Sequence, residues 1–190
     1  MKSIPESFAK LVESLEKLPS IGKKSAMRLA YFLAFEDKLS ALQIAHNIES
    51  CMQELRICEE CFGISKVPIC EICSNSMRNN GELCIIASPK EIFLLEESGE
   101  FNGKYFVITS LETLDMKALE RKIIKNNIRE IIFALSPSLS SDSLMLYLED
   151  KLSPLDLQFT KIAQGVPTGV SLENIDQLSI IRALQTRVKI

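Results

Sequence analysis

Two groups of residues in this sequence could do chemistry. The first is Cys58, Cys61, Cys70 and Cys73, which stand in CEECFGISKVPICEIC as two C-x-x-C pairs. Two residues between cysteines allow one tight turn to aim both sulfurs at a single point. A second such knuckle completes a tetrahedral thiolate cage of the kind that holds Zn2+. Four thiolates leave no open coordination position, so the expected site braces the chain rather than activating water, and its local fold depends on the metal. Two disulfides or four buried free thiols are the alternative reading of the same spacing.

The second group is basic. In LPSIGKKSAMRLA, Leu18 to Ala30, Pro19 ends one helix and Gly22 precedes the next, whose apolar residues Ala26, Leu29, Ala30 and Leu33 share a face. A glycine at a helix start lets the backbone approach a phosphate, whose charge is favoured by the exposed N–H groups and the helix dipole. Lys23, Lys24 and Arg28 add mobile cations. The arrangement suits binding to the DNA backbone without regard to sequence. The same stretch also reads as a plain helical hairpin whose lysines are merely solvated.

Other chemistry is scarce. His46 is the only histidine, and with no nucleophile in an elbow motif it reads as a surface or packing residue. The carboxylates closest to candidate strand ends, Glu91, Asp115 and Asp142, read as helix residues or caps rather than Mg2+ ligands. Gly165, Pro167 and Gly169 in QGVPTGVSLENID suggest a rigid turn, and no G-x-x-x-x-G-K motif occurs.

The elements that must position these residues follow from periodicity. Phe8, Leu11, Val12, Leu15 and Leu18 predict an amphipathic helix from Pro5 to Leu18, with Ser3 and Glu6 placed as a capping box. Leu42, Ala45, Ile48, Met52 and Leu55 predict another from Leu39 to Leu55. Beyond the cysteines the texture changes. Strands are expected at Leu83–Ala87, Lys104–Thr109, Ile128–Leu135 and Leu157–Ala163, separated by helices at Pro89–Ser98, Asp115–Asn126 and Ser141–Leu152. Alternation of this kind argues for a parallel sheet covered on both faces, with its ligand-binding loops along one edge. An apolar helix, Leu178 to Val188, closes the chain and is expected to pack on something, with self-assembly one outlet.

Composition narrows the class. At 190 residues with 46% hydrophobic and 25% charged residues, the chain can bury a core. Nine Phe, three Tyr and no Trp do not advertise a stacking platform for single-stranded bases. No apolar run is long enough for a membrane helix and MKSIPESFAK lacks a secretory core, so a cytoplasmic protein with reduced thiols is expected. Cys51 and Cys84 read as ordinary core residues. The net charge of −3 hides an asymmetry: residues 1–30 carry six basic and three acidic side chains, residues 91–150 six basic and eleven acidic. A basic end and an acidic middle suggest two partner surfaces.

Together these pieces resemble the RecR family of bacterial recombination mediators over essentially the full length. The resemblance is carried by LPSIGKKSAMRLA, similar to the family's helix-hairpin-helix; by the four-cysteine module ending in CEIC; by PKEIFLLEESGEFNGKYFVI, similar to the start of its Toprim domain; and by IAQGVPTGVSLENID. It implies an α/β protein with an N-terminal all-α helix-hairpin-helix part (1–55), a four-cysteine zinc finger (56–78), a Toprim-like parallel sheet flanked by helices (79–163) and a C-terminal oligomerisation segment (164–190). The implied function is non-enzymatic DNA repair by a cytoplasmic, nucleoid-associated ring or clamp, commonly a tetramer built from dimers. With RecO, and RecF where present, it would help RecA load on gapped DNA coated with single-strand-binding protein. Gly22, Lys23, Lys24 and Arg28 match the hairpin region that meets DNA, and Cys58, Cys61, Cys70 and Cys73 match the zinc ligands.

Three positions depart from the family pattern. The hairpin's usual first glycine is Ser20, the characteristic Toprim glutamate is Ala87, and the acidic position after the third strand is Ser140. The two lost carboxylates imply that Toprim nuclease, primase or topoisomerase chemistry is absent. The alternatives are a Mg2+-dependent Toprim phosphoryl-transfer enzyme using Glu91 and Asp142 as displaced ligands, and a protein-interaction scaffold docking through the acidic middle.

Overall fold

The computed structural model describes residues 4–163, 166 and 169–185, with backbone alone for Leu172, Leu178, Leu184 and Gln185. The chain forms two compact units, Met1–Leu55 and Arg56–Ile190.

In the first unit α1 (Glu6–Glu16) and α2 (Lys23–Tyr31) form a hairpin around Val12, Ala26 and Ala30. Both alanines are fully buried, and side chains this small at i and i+4 let two helices approach closely. Phe8, Leu11, Leu15, Ile21 and Met27 close around them, as the apolar spacing of α1 requires. The N-cap of α1 is Pro5 with no side-chain cap, which replaces the expected capping box; Ser3 lies outside the described residues. A proline here costs nothing, because the first helical N–H groups have no intrahelical acceptor.

The turn between the helices holds Ser20 at φ 65°, in the left-handed region that favours glycine. Ser20→Gly is therefore expected to stabilise the unit by about 1 kcal/mol, read as a higher urea midpoint at unchanged slope. A lower midpoint would show that the serine hydroxyl, not the backbone, decides this turn.

A π-helical turn, Phe32–Glu36, leads to α3 (Lys38–Glu54). Asp37 caps α3 by accepting from the Ser40 N–H at 2.9 Å and Ser40 Oγ at 2.6 Å, bonds that hold its carboxyl below the usual range. The face expected from spacing exists, but nothing in the unit covers it: α3 has no buried residue, and Leu42, Ile48 and Met52 are 71%, 56% and 79% exposed. Cys51 is likewise exposed rather than core.

The second unit opens with the cysteine module: a short antiparallel pair, β1 (Arg56–Ile57) and β2 (Ile64–Ser65), then α4 (Glu71–Ser74) and a 3-10 turn, Ser76–Arg78. Next come β3 (Glu82–Ile86), α5 (Pro89–Ser98), β4 (Lys104–Val107), α6 (Met116–Lys125), β5 (Glu130–Ala134), α7 (Leu139–Lys151) and β6 (Gln158–Lys161). The four long-range strands are parallel in the order β4-β3-β5-β6.

Alternate residues of each strand feed opposite faces, as the pleat demands. Leu83, Ile85, Phe106, Ile131 and Phe133 pack under α6 and α7 with Leu119, Ile123, Leu144 and Leu148. Cys84, Ile86, Tyr105 and Val107 pack under α5 with Ile92. Both faces are thus covered at β3 and β4, whose residues are nearly all buried, whereas β5 alternates and the edge strand β6 is only partly buried. Burial, with the Glu91 charge adding, pushes the Cys84 thiol up to about 12, so alkylation of the folded protein at pH 8 is expected to spare it. Modification of Cys84 without unfolding would contradict this packing.

Arg78 ties the module to the sheet. Its guanidinium forks onto both Glu96 oxygens at 2.8 and 2.6 Å, donates to the Gly103 and Phe101 carbonyls, and lies 5.8 Å from the Tyr105 ring, whose hydroxyl also donates to Glu96. Arg78→Ala should cost about 2 kcal/mol in urea unfolding, with little recovery in Arg78→Lys, because an ammonium cannot reproduce the fork.

The third helix of the sheet region begins at Leu139 rather than Ser141, so Ser140 stands in its first turn and not in a loop. Gly169 has φ 82°, while Gly165 and Pro167 lie outside the described residues. The last helix, α8, runs Gln177–Gln185; Val188 lies outside the described residues.

Candidate metal centre and nucleic-acid interface

The four cysteine sulfurs lie within 4.8 Å of one another, all on buried residues. The first knuckle is shaped by Phe62 at φ 60° and by Gly63, where a Cβ would meet Cys61 Sγ at 3.2 Å and Ile92 Cδ1 at 2.7 Å. The Ile92 methyl could move aside, but a Cβ here would press on the Cys61 sulfur, which glycine leaves free. The second knuckle is the start of α4, where Cys70 is the N-cap and its sulfur accepts from the Cys73 N–H at 3.4 Å. Two further amides aim at sulfur: Gly63 N–H at Cys61 Sγ, 3.4 Å, and Cys70 N–H at Cys58 Sγ, 3.3 Å.

Donors aimed at sulfur favour thiolates, and the separations suit four bonds of about 2.3 Å converging on one tetrahedral ion. Such crowded thiols cannot all ionise by themselves. Crowding of the sulfurs holds the Cys58 thiol far below its ordinary range, through Cys61 first and then Cys70 and Cys73, and drives that of Cys61 far above it. The group can hold a metal ion, and its ligand chemistry is compatible with zinc.

The module also covers an otherwise open sheet edge. β4 ends the sheet, and its Val107 N–H donates to the Cys61 carbonyl at 2.9 Å. Beneath the sulfurs lie two residues that sequence reasoning missed. Lys122 Nζ donates to Cys73 Sγ at 3.0 Å, and Lys104 Nζ donates to the carbonyls of Ile72, Cys73 and Asn75 at 2.9, 2.7 and 2.8 Å. Burial lowers the Lys104 ammonium below its ordinary range, and the Cys73 sulfur opposes that shift. A signal existed: Lys122 falls at helical spacing with Leu119, Ile123 and Asn126, the buried stripe of α6.

In the first unit, the start of α2 is uncovered. Gly22 is its N-cap, no side chain caps it, and nothing lies within 4 Å of where a Gly22 Cβ would stand. Lys23, Lys24 and Arg28 are exposed, and none is held by an acidic side chain among the described residues. Gly22 itself has φ −87°, so openness rather than backbone strain is what a glycine provides here.

The carboxylates near the strand ends are committed to helices. Glu91 Oε2 accepts from the Ala87 and Ser88 N–H groups at 2.9 and 3.0 Å, completing a capping box for α5, and Asp115 caps α6 through the Ala118 N–H at 2.9 Å. Asp142 is exposed in the first turn of α7. Among the described residues the cysteines are the one cluster of three or more potential metal ligands, and His46 is exposed on α3. Glu91→Ala is expected to cost about 1 kcal/mol of stability through the lost cap.

A family model described as "RecR, helix-hairpin-helix" matches residues 8–52. A protein named Recombination protein RecR from Helicobacter pylori is 50% identical over 182 residues, 96% of this chain and 94% of its own. Proteins of the same name from a Nitratiruptor species and from Campylobacter jejuni are 48% and 47% identical, covering 100% and 97% of both chains.

Proposed function

The chain belongs to the RecR family of recombination proteins, and from that premise we propose that it is a non-enzymatic mediator of recombinational repair that binds DNA through the start of α2. The observation that carries the DNA contact is the uncovered N-terminus of α2 beside three exposed cations that no acidic side chain among the described residues holds. Gly22 opens the helix end to a phosphate oxygen, Lys23 and Lys24 flank it, and Arg28 lies one turn further along the face of Lys24.

Each chain holds one structural Zn2+ on Cys58, Cys61, Cys70 and Cys73, an assignment supported by the sulfur geometry. Residues 1–55 serve as the DNA-binding part, 56–78 as the zinc finger, 79–163 as the Toprim-like part and 164–190 as an oligomerisation segment. The uncovered apolar face of α3 supports a homo-oligomer, a tetramer built from dimers acting as a ring or clamp on DNA. Its partners are RecO, and RecF where present, and its task is to help RecA load on gapped DNA coated with single-strand-binding protein. No helix among the described residues is long and apolar enough to cross a membrane, and the protein is assigned to the cytoplasm, at the nucleoid. The non-enzymatic assignment is supported by the capping roles of Glu91 and Asp115, which occupy carboxylates a Mg2+ site would need.

Fluorescence anisotropy with labelled duplex and gapped DNA across a salt series tests the reading. Affinity should fall steeply with salt and vary little with sequence. Salt-insensitive binding, or none at low salt, would remove the direct contact and leave DNA reached through a partner. Incubation with DNA and Mg2+ should leave the DNA intact; cleavage lost in Glu91→Ala or Asp142→Ala would establish the phosphoryl-transfer alternative.

A further inference from the structure

Lys104 and Lys122 are 1% and 3% exposed, where an uncompensated ammonium costs several kcal/mol. Among the described residues no carboxylate forms an ion pair with Lys104, and the one that pairs with Lys122 stands at the outer limit of contact. Lys104 has three carbonyls, and Lys122 has a sulfur, with the Glu60 carboxylate 3.9 Å away and already bonded to Lys125. Glu60 is shared with the solvent-exposed Lys125, so this one carboxylate leaves the two buried ammonium groups short of negative charge. Four thiolates around a dication carry that charge, and Cys73 Sγ is the atom Lys122 touches.

We propose that Lys104 and Lys122 are the counter-charges of the metal–thiolate centre, and that their charge sets how tightly the centre holds its ion. The inference rests on the zinc reading above. Neither side holds its charge alone: a buried dianionic centre is as costly as two buried cations, and each is made tolerable by the other. Because Lys104 belongs to β4 and Lys122 to α6, metal loss is then felt in the sheet and its covering helix as well as in the knuckles.

The test is chelator competition for zinc with the full-length native protein, Lys122→Met, which keeps length and apolar packing, and Lys122→Arg, which keeps the charge. Native protein should hold one zinc per chain, Lys122→Met should bind it about 10–100-fold more weakly, and Lys122→Arg should recover most of the difference. A merely structural lysine would lower the melting temperature of Lys122→Met and leave zinc affinity unchanged, and that result overturns the inference alone. Metal-free native protein would instead remove the zinc reading and this inference with it. Should Lys122→Met fail to fold, Lys104→Met is put through the same competition, where weaker zinc binding is expected and unchanged affinity overturns the inference.

Discussion

Cys70→Ser is expected to empty the metal centre and cost at least about 4 kcal/mol, because structural zinc contributes on the order of 10 kcal/mol to the fold that binds it. Serine at this position separates two roles of the native side chain. Its hydroxyl can still cap α4 as Cys70 does through the Cys73 N–H, but it is a poor ligand for the metal at neutral pH. The loss therefore reports the metal and not the cap. Zinc content should fall to near zero after dialysis against a mild chelator, and the melting temperature by roughly 10 °C or more. Protection from hydrogen exchange should weaken in β4 as well as in the module, since Val107 N–H bonds to the Cys61 carbonyl and Lys104 anchors the carbonyls of α4 and the turn that follows. Full occupancy with unchanged melting would sink the assignment.

Reversing two charges at the start of α2, in Lys23→Glu/Lys24→Glu, should abolish measurable DNA binding at physiological salt. Each phosphate contact contributes about one unit to the slope of log affinity against log salt, so the double variant should lose about two units per chain even where low salt restores some binding. The acidic side chains would also occupy the helix end in place of phosphate, since the N-terminal N–H groups favour any nearby anion. Stability should change little or rise slightly, because both lysines are exposed and acids suit a first turn. Loss of DNA binding with intact melting would isolate the electrostatic role. An unchanged slope would move the DNA surface away from α2.

The cysteine cluster and much of the fold around it were legible from the chain itself. The two C-x-x-C pairs fix which sulfurs can meet, because a knuckle is local, and the four were found within reach of one ion. The uncapped start of α2 followed from Pro19, Gly22 and the alanine spacing, all short-range signals. The parallel sheet was readable because buried strands are continuously apolar and their helices carry clear caps, as at Ser88–Glu91 and Asp115. Glu91 and Asp115 were correctly read as helix residues for the same reason.

What the sequence determined by itself is therefore local: knuckles, caps, turns and the period of each element, all set by interactions spanning a few residues. Tertiary structure decided the rest. It left the apolar stripe of α3 without a cover, since periodicity specifies a face but not what meets it. It put Ser20 in the left-handed region, a demand of the turn that an L residue meets only at a cost. Above all it brought Lys104 and Lys122, 31 and 49 residues beyond Cys73, beneath the sulfurs. No local rule connects charges so far apart in the chain; the packing of α6 and the edge of β4 against the module does.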